Sequence, residues 1–275
     1  RNFIGIPREP LAFSNDYRPK GPPRYERAVF KLSADESRRF RVKLSRPLGE
    51  RGRVGIGLGV IARGSPYRGY EGGVHQVIPA VTYNGNRFRI LGPNLQIDLA
   101  GSGRFRLAAV GRYRIGVYEE GESGFLRGMG DREDTFMAGL SVELELPGGF
   151  DLSVSYEHDA LGRIGGGSAR LGVDRSFQLG RFALAPEVGL NRLGARLARH
   201  DFGVDPANAV PGRPAYELED IFSMEVGISG SVDLSRSWLA VVNTGVEFLP
   251  SDVTDSPIVD EHHVFSGFAA ASYIF

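Results

Sequence analysis

The side chains of this chain best placed to do chemistry are charged ones spaced two residues apart. The basic set comes early in the chain: Arg39, Arg41, Lys43, Arg87, Arg89, Arg104, Arg106, Arg112 and Arg114. The acidic set comes later: Glu143, Glu145, Asp151, Glu157, Glu217, Glu219 and Glu225. In a β-strand, residues two apart share a face, so each short group projects its charges to one side of a sheet. If that sheet closes on itself, a basic wall faces an acidic wall across the interior. Two readings follow. In one, the lumen is stitched together by ion pairs, because a small barrel fills its interior with side chains and paired charges tolerate burial. In the other, a transverse field crosses a narrow pore that admits zwitterionic or polar solutes.

Catalysis finds less support. The histidines sit beside carboxylates in His158-Asp159, His200-Asp201 and Asp260-Glu261-His262-His263, all at expected strand ends or loops. A hydrolase needs a nucleophile within hydrogen-bond reach of its base, and no Ser occupies a recognisable nucleophile motif. His262 and His263 with Asp260 have the donor chemistry for a metal, but adjacent residues in a strand point apart, so they read as solvated loop residues. Gly165-Gly166-Gly167 lacks the Lys and the strand–helix context of a phosphate loop. No cofactor, no metal and no enzymatic activity is expected.

The elements that carry these charges are strands. Phe105, Leu107, Ala109, Tyr113, Ile115 and Val117 alternate with the arginines of 104–117, and Phe136 to Leu146 alternate with Glu143 and Glu145. Phe150 to Glu157, Leu218 to Asp233 and Trp238 to Phe248 repeat the pattern, and 39–46, 52–63, 74–83, 86–100, 167–177, 182–199 and 264–275 complete it. Asn84-Gly85 is a hairpin signal, and 101–103, 147–149, 178–180 and 234–236 are short polar connections. Longer connections fall near 118–131, 159–166, 200–216 and 250–263. The count is twelve strands, with ten or fourteen as the neighbouring even numbers. The apolar faces are too long, and the opposite faces too charged, for a soluble sandwich or lipocalin-like barrel. The expected fold is therefore all-β: a transmembrane antiparallel up-and-down barrel over 38–275, in the outer membrane of a Gram-negative bacterium, with lipid against its apolar faces. The last strand ends on Tyr273 and Phe275, which read as a C-terminal assembly signal with aromatics at the membrane interface. A periplasmic C-terminus puts loop 250–263 outside the cell and the turns near 64–73, 101–103, 147–149, 178–180 and 234–236 in the periplasm.

Composition agrees. The 33 basic and 33 acidic residues cancel, which argues against nucleic acid as a partner. There is no Cys, as suits an oxidising compartment. No apolar run reaches the roughly 18 residues of a spanning helix. The start at Arg1 suggests a processed or trimmed chain. Residues 1–37, with Pro7, Pro10, Pro19, Pro22 and Pro23, are expected to be irregular: a periplasmic tail, a lumen plug or a docking arm. The exposed barrel wall also leaves room for a homo-oligomer.

Several blocks resemble the MipA/OmpV family (MltA-interacting proteins) in their order along 52–275. They are Gly57-Leu58-Gly59 with Pro66-Tyr67-Arg68-Gly69, Leu126-Arg127-Gly128-Met129-Gly130-Asp131, and Phe202-Gly203-Val204 with Ala215-Tyr216. The loop Asp255-Ser256-Pro257-Ile258-Val259 and the terminal Tyr273-Ile274-Phe275 follow. His200-Asp201-Phe202 and Ile274 depart from the family pattern, and the first fifty residues have no counterpart in it. The resemblance implies an outer-membrane barrel. For one branch it implies a scaffold that links a lytic transglycosylase to a peptidoglycan synthase, here through residues 1–37 or the periplasmic turns. Other branches resemble adhesins or porin-like proteins.

Overall fold

The computed structural model describes residues 27–31, 39–43, 53–70, 73–91 and 94–275. Two short strands, β1 (Arg27–Lys31) and β2 (Arg39–Lys43), pair antiparallel with each other in a sheet of their own. The remaining strands form one closed wall: β3 (Arg53–Gly64), β4 (Gly73–Asn84), β5 (Phe88–Leu91), β6 (Asn94–Ser102), β7 (Phe105–Arg114), β8 (Thr135–Leu146), β9 (Phe150–Asp159), β10 (Gly167–Arg175), β11 (Phe177–Leu179), β12 (Phe182–Leu193), β13 (Ile221–Asp233), β14 (Trp238–Phe248) and β15 (His263–Ile274). Each pairs antiparallel with its neighbour, β10 pairs β12, and β15 closes on β3. β11 continues β10 in one register: Asp174 lies opposite Glu187, and Phe177 opposite Leu184. The break falls beside Pro186, which has no N–H to give the ladder. β10 and β11 thus make one strand, and the barrel has twelve.

These are not the expected twelve. The run 86–100 is two antiparallel strands, β5 and β6, on either side of Gly92 and Pro93 in the sequence. The strand expected at 39–46 is described over 39–43, where it pairs with β1 and, among the described residues, with no strand of the wall. β1 itself falls within 1–37, where irregular chain was expected; residues 1–26 lie outside the described residues. The split also changes which end two connections occupy. Residues 65–70 join the long loops, with Tyr67 bridging Val259 and the Arg68 N–H donating to the Ile258 carbonyl at 2.8 Å. The Asn84-Gly85 turn falls at the end that holds the short turns. The long-loop end is the extracellular one by the general build of such barrels.

The wall is inside-out relative to a soluble protein. Along β13 exposed Phe222, Met224, Val226 and Ile228 alternate with buried Ser223, Glu225, Gly227 and Ser229; Val226 is 44% exposed and Glu225 0%. β12 follows the same rule, with Val188 and Leu190 outside and Glu187 and Asn191 inside. Aromatics ring the outer wall twice. Phe105, Phe150, Phe177, Phe182, Trp238 and Tyr273 are exposed at the turn end, and Tyr113, Tyr156, Phe222, Phe248 and Phe265 at the loop end. From Trp238 to Phe248 is ten residues, roughly 33 Å along the strand and about 25 Å when tilted by about 40°. That is the height of an outer-membrane hydrocarbon band. Tyr273 packs edge-on to Trp238 at 5.6 Å and to Phe275 at 5.0 Å. The Phe275 N–H donates to the Val54 carbonyl at 2.9 Å, so the last residue is tied to the first wall strand.

The chain between 194 and 220 departs from strand. Helix α1 (Ala195–Phe202) begins after Gly194, where the sequence pattern was read as strand to 199. Its buried residues are Leu197, Ala198, Asp201 and Phe202, two pairs spaced four apart. That spacing is a helical face. A short helix α2 (Ser251–Thr254) sits in the loop before β15.

Candidate functional site

The lumen is bound together by ion pairs in three layers. At the turn end, Arg89 donates to both carboxylate oxygens of Asp98, at 2.7 and 3.4 Å, and Arg106 reaches Asp98 at 3.7 Å and Glu143 at 3.4 Å. In the middle, Arg112 Nε donates to Glu157 at 2.9 Å, with both side chains almost fully buried. Nearby, Arg170 is a hub: it donates to Glu187 and to the Asn191 amide oxygen, each at 2.9 Å, and to Glu225. Asn191 in turn donates to Glu225 at 3.3 Å and Glu247 at 3.4 Å, and Ser223 donates to Glu247. Gly189 makes room for the hub, since a Cβ there would lie 2.7 Å from the Arg170 guanidinium. Removing one partner of a buried pair strands the other charge, a cost of about 3–5 kcal/mol. The network therefore fixes the geometry of the lumen more than it adds net stability.

The third layer ties the wall to a lid. Loops 65–70, 115–134, 194–220 and 249–262 pack over the loop end around a hydrophobic core of Tyr67, Val117, Tyr118, Leu126, Met129, Ala198, Phe202, Val204, Leu218, Ile221, Val253, Ile258 and Val259. Here apolar side chains point inward, as in a soluble protein. Tyr67 meets Tyr118 edge-on at 4.7 Å, and its hydroxyl donates to the Asp201 carbonyl at 3.1 Å. The Ser256 hydroxyl donates to the Phe202 carbonyl at 2.6 Å. Arg213 donates to the carbonyls of Phe125, Arg127 and Asn208, pinning one loop to another. Arg114 of β7 reaches Asp201 of α1 at 2.6 Å, and His200 Nδ1 lies 3.0 Å from the other Asp201 oxygen. Burial alone would raise the Asp201 carboxyl, but the Arg114 charge and the His200 contact hold it below the usual carboxylate range. Burial pushes the Tyr118 phenol up to about 12 despite the nearby Arg132.

Of the residues picked out by pattern, Arg112, Arg114, Glu143, Asp151, Glu157 and Glu225 are buried in the lumen, and Arg89 and Arg106 line its turn end. Arg87, Arg104 and Glu145 are instead exposed at the turn-end rim. Glu217 and Glu219 are exposed in the loop before β13, which starts only at Ile221. The side chains of Arg39, Arg41 and Lys43 lie outside the described residues. Among the described residues, Arg170 stands among the acids of the later strands, paired with Glu187 and Glu225. The charged sets read from the pattern leave out Arg170, Glu187, Glu247 and Asp98, and Asp201 is noted only as a neighbour of His200. Pro186 and the glycines at 172 and 189 interrupt the alternation around the first two.

The loop 255–259 folds into the lid, burying Ser256, Ile258 and Val259, while Asp255 stays exposed. His158 and His262 are exposed, and His263 packs edge-on to Phe265 at 5.0 Å. Among the described residues no cluster of His, Cys, Asp or Glu is arranged to hold a metal.

An inside-out wall, two aromatic girdles and an ionic lumen under an apolar lid define an outer-membrane β-barrel. The family model for the MltA-interacting protein MipA matches residues 56–275. The chain belongs to the MipA family. A second model, for uncharacterised proteins conserved in bacteria (DUF2141), matches residues 1–40. YiaT of Escherichia coli K12, which carries an outer-membrane-protein name, is 23% identical over 225 residues, 81% of this chain and 91% of its own length. The MltA-interacting protein of Escherichia coli K12 is 25% identical over 211 residues, 76% of this chain and 84% of the relative. Among solved structures, an outer membrane channel from Pseudomonas putida F1 aligns over 83% of this chain and 97% of its own, with a TM-score of 0.44 and 12% identity.

Proposed function

We propose that this protein is a non-enzymatic scaffold of the outer membrane that presents its periplasmic end to another envelope protein. The observation that carries this reading is the difference between its ends. The outer mouth is covered by a lid with its own hydrophobic core, and the lumen below is cross-linked by buried ion pairs. Such a body suits a fixed platform better than an open conduit. The name of the MltA-interacting relative points to a peptidoglycan-remodelling enzyme as the class of partner. Residues 1–37 serve as the docking arm in this reading. A second family model matches residues 1–40, outside the span of the MipA model, which supports a separate role for this segment.

Photo-crosslinkers placed at the turn end, at Asn86 and Ser235, should trap a peptidoglycan enzyme in intact cells, and one at Ala209 in the lid should not. Adducts confined to Ala209 would overturn the reading. Deletion of residues 1–37 should lower the yield of the same adduct, and unchanged yield would remove the docking arm. The second reading, a narrow channel for small polar or zwitterionic solutes, is favoured by the polar lining of the lumen. Steady openings of the purified protein in planar bilayers would replace the scaffold by the channel.

A further inference from the structure

The outer wall carries a charge at a position that its alternation gives to apolar side chains. Along β10 and β11 the exposed series runs Leu171, Val173, Arg175, Phe177 and Leu179. Arg175 therefore faces the surroundings of the barrel and not its lumen. It lies opposite Phe150, the first residue of β9 after the turn 147–149, which places it in the turn-end girdle. Its guanidinium carbon is 5.2 Å from the centre of the Phe150 ring and 5.1 Å from that of Phe177. Arg181, in the tight turn between β11 and β12, lies 5.4 Å over the Phe182 ring. Leu179 and Phe182 pair across this hairpin and are both exposed, so Phe177, Leu179 and Phe182 form an apolar shelf between the two arginines. Among the described residues neither guanidinium has a carboxylate within ion-pair distance or a side-chain hydrogen bond. At the loop end, by contrast, exposed Arg192 pairs with Asp220, and Arg68 lies 3.6 Å from Asp260.

We infer that this face of β9 to β12 is a binding site for an anionic phospholipid of the periplasmic leaflet. A cation on a lipid-facing wall is costly in hydrocarbon and tolerated at the interface, where headgroups surround it. A guanidinium stacked on a ring keeps its N–H edge open, and that fork of donors matches two oxygens of a phosphate. Arg175 and Arg181 donate to the headgroup phosphate, and the shelf meets the first carbons of the acyl chains. The two rings hold the Arg175 group in place beforehand, so little side-chain freedom is lost on binding. Lipid and not protein is the occupant, because the same face continues through Val173 and Leu171 into the hydrocarbon band. The site goes beyond the scaffold reading and does not depend on it, since it uses only the outer wall.

The test is native mass spectrometry of the folded, detergent-solubilised full chain titrated with phosphatidylglycerol and with phosphatidylcholine of the same acyl chains. Phosphatidylglycerol should bind saturably and about thirtyfold more tightly, from roughly a fivefold gain for each arginine near the surface. Arg175→Gln combined with Arg181→Gln should remove that preference. Arg175→Lys should keep only part of it, since the fork and the stacking are lost. Arg127→Gln, an exposed site in the lid, should leave it unchanged. Millimolar inorganic phosphate should not displace the lipid, and a photo-crosslinker at Leu179 in intact cells should give an adduct of lipid mass. Equal affinity for the two lipids, an unchanged preference in the double variant, or an equal loss in Arg127→Gln would each overturn the site. Full displacement by inorganic phosphate, or protein adducts alone at Leu179, would do the same. If the double variant does not fold, the two-lipid comparison and the Leu179 adducts decide alone.

Discussion

The wall and the lid of this molecule obey opposite burial rules within one chain. In β13 the valine and isoleucine side chains face out and the glutamate faces in, whereas in the lid Leu126, Val253 and Ile258 are fully buried. The charges buried with them, Asp201 and Arg213, are held by an ion pair and by backbone carbonyls. The rule itself does not change; the surroundings do. Apolar surface leaves water wherever it can, into hydrocarbon tails along the wall and into a packed core above them. The difference also sets how each part responds to damage. The wall is sensitive to a lost counter-charge, and the lid to a lost methyl group.

The largest effect should come from Arg170→Met. It strands Glu187 and Glu225 together in the lumen and should cost about 3–5 kcal/mol in urea unfolding of the lipid-reconstituted barrel. Adding Glu225→Gln should recover part of that loss; if it does not, the hub is not electrostatic. Val226→Arg places a cation on the outer wall near mid-height and should cost about 2–4 kcal/mol. An exposed site on a soluble protein would tolerate the same change, so a neutral result would break the comparison between wall and lid. Leu126→Ala in the lid should cost about 2–3 kcal/mol, at the low end for a buried leucine because loops can settle. Its signature is local: faster proteolysis of loop 115–134 with unchanged unfolding of the wall.

The smallest effect is the pH response of the lid. The Asp201 carboxyl is held below its ordinary range in the folded protein. Its contribution is therefore complete above the unfolded carboxylate value, near 4, and is lost as pH falls through the lower folded value. The near-ultraviolet circular dichroism of the Tyr67–Tyr118 pair should fade in that acid window, and Asp201→Asn should remove the dependence. A signal that fades equally in Asp201→Asn would place the titration elsewhere.

Most of the wall was legible because each long strand carries period-two alternation with no competing signal. β8, β9, β14 and β15 fall within a residue or two of the boundaries the pattern sets. The strand count was reached by a different route, since Gly92 and Pro93 divide a run whose alternation looked continuous. The lid was not legible. Its residues follow no single period, and contacts such as Tyr67 with Phe202 join positions far apart in the chain. α1 did leave a trace in the four-residue spacing of Leu197 with Asp201 and Ala198 with Phe202. The Arg170 hub left less, because its partners come from β12 and β13 and no short window contains them.

Among the described residues, several ionic contacts of the wall join close neighbours in the ring. Arg89 and Asp98 belong to adjacent strands, Arg106 and Glu143 likewise, and Arg112 and Glu157 lie two strands apart. Charge is thus neutralised within hairpin-sized pieces before the circle is complete. A growing sheet can then enter the bilayer by successive hairpins, each carrying little unbalanced charge past the lipid. Arg114 with Asp201 is different, for it reaches from the wall into the outer cap. It should form late, after the last strand has zipped to the first, and pulse-labelling of cysteines placed near Arg114 during insertion would time that step.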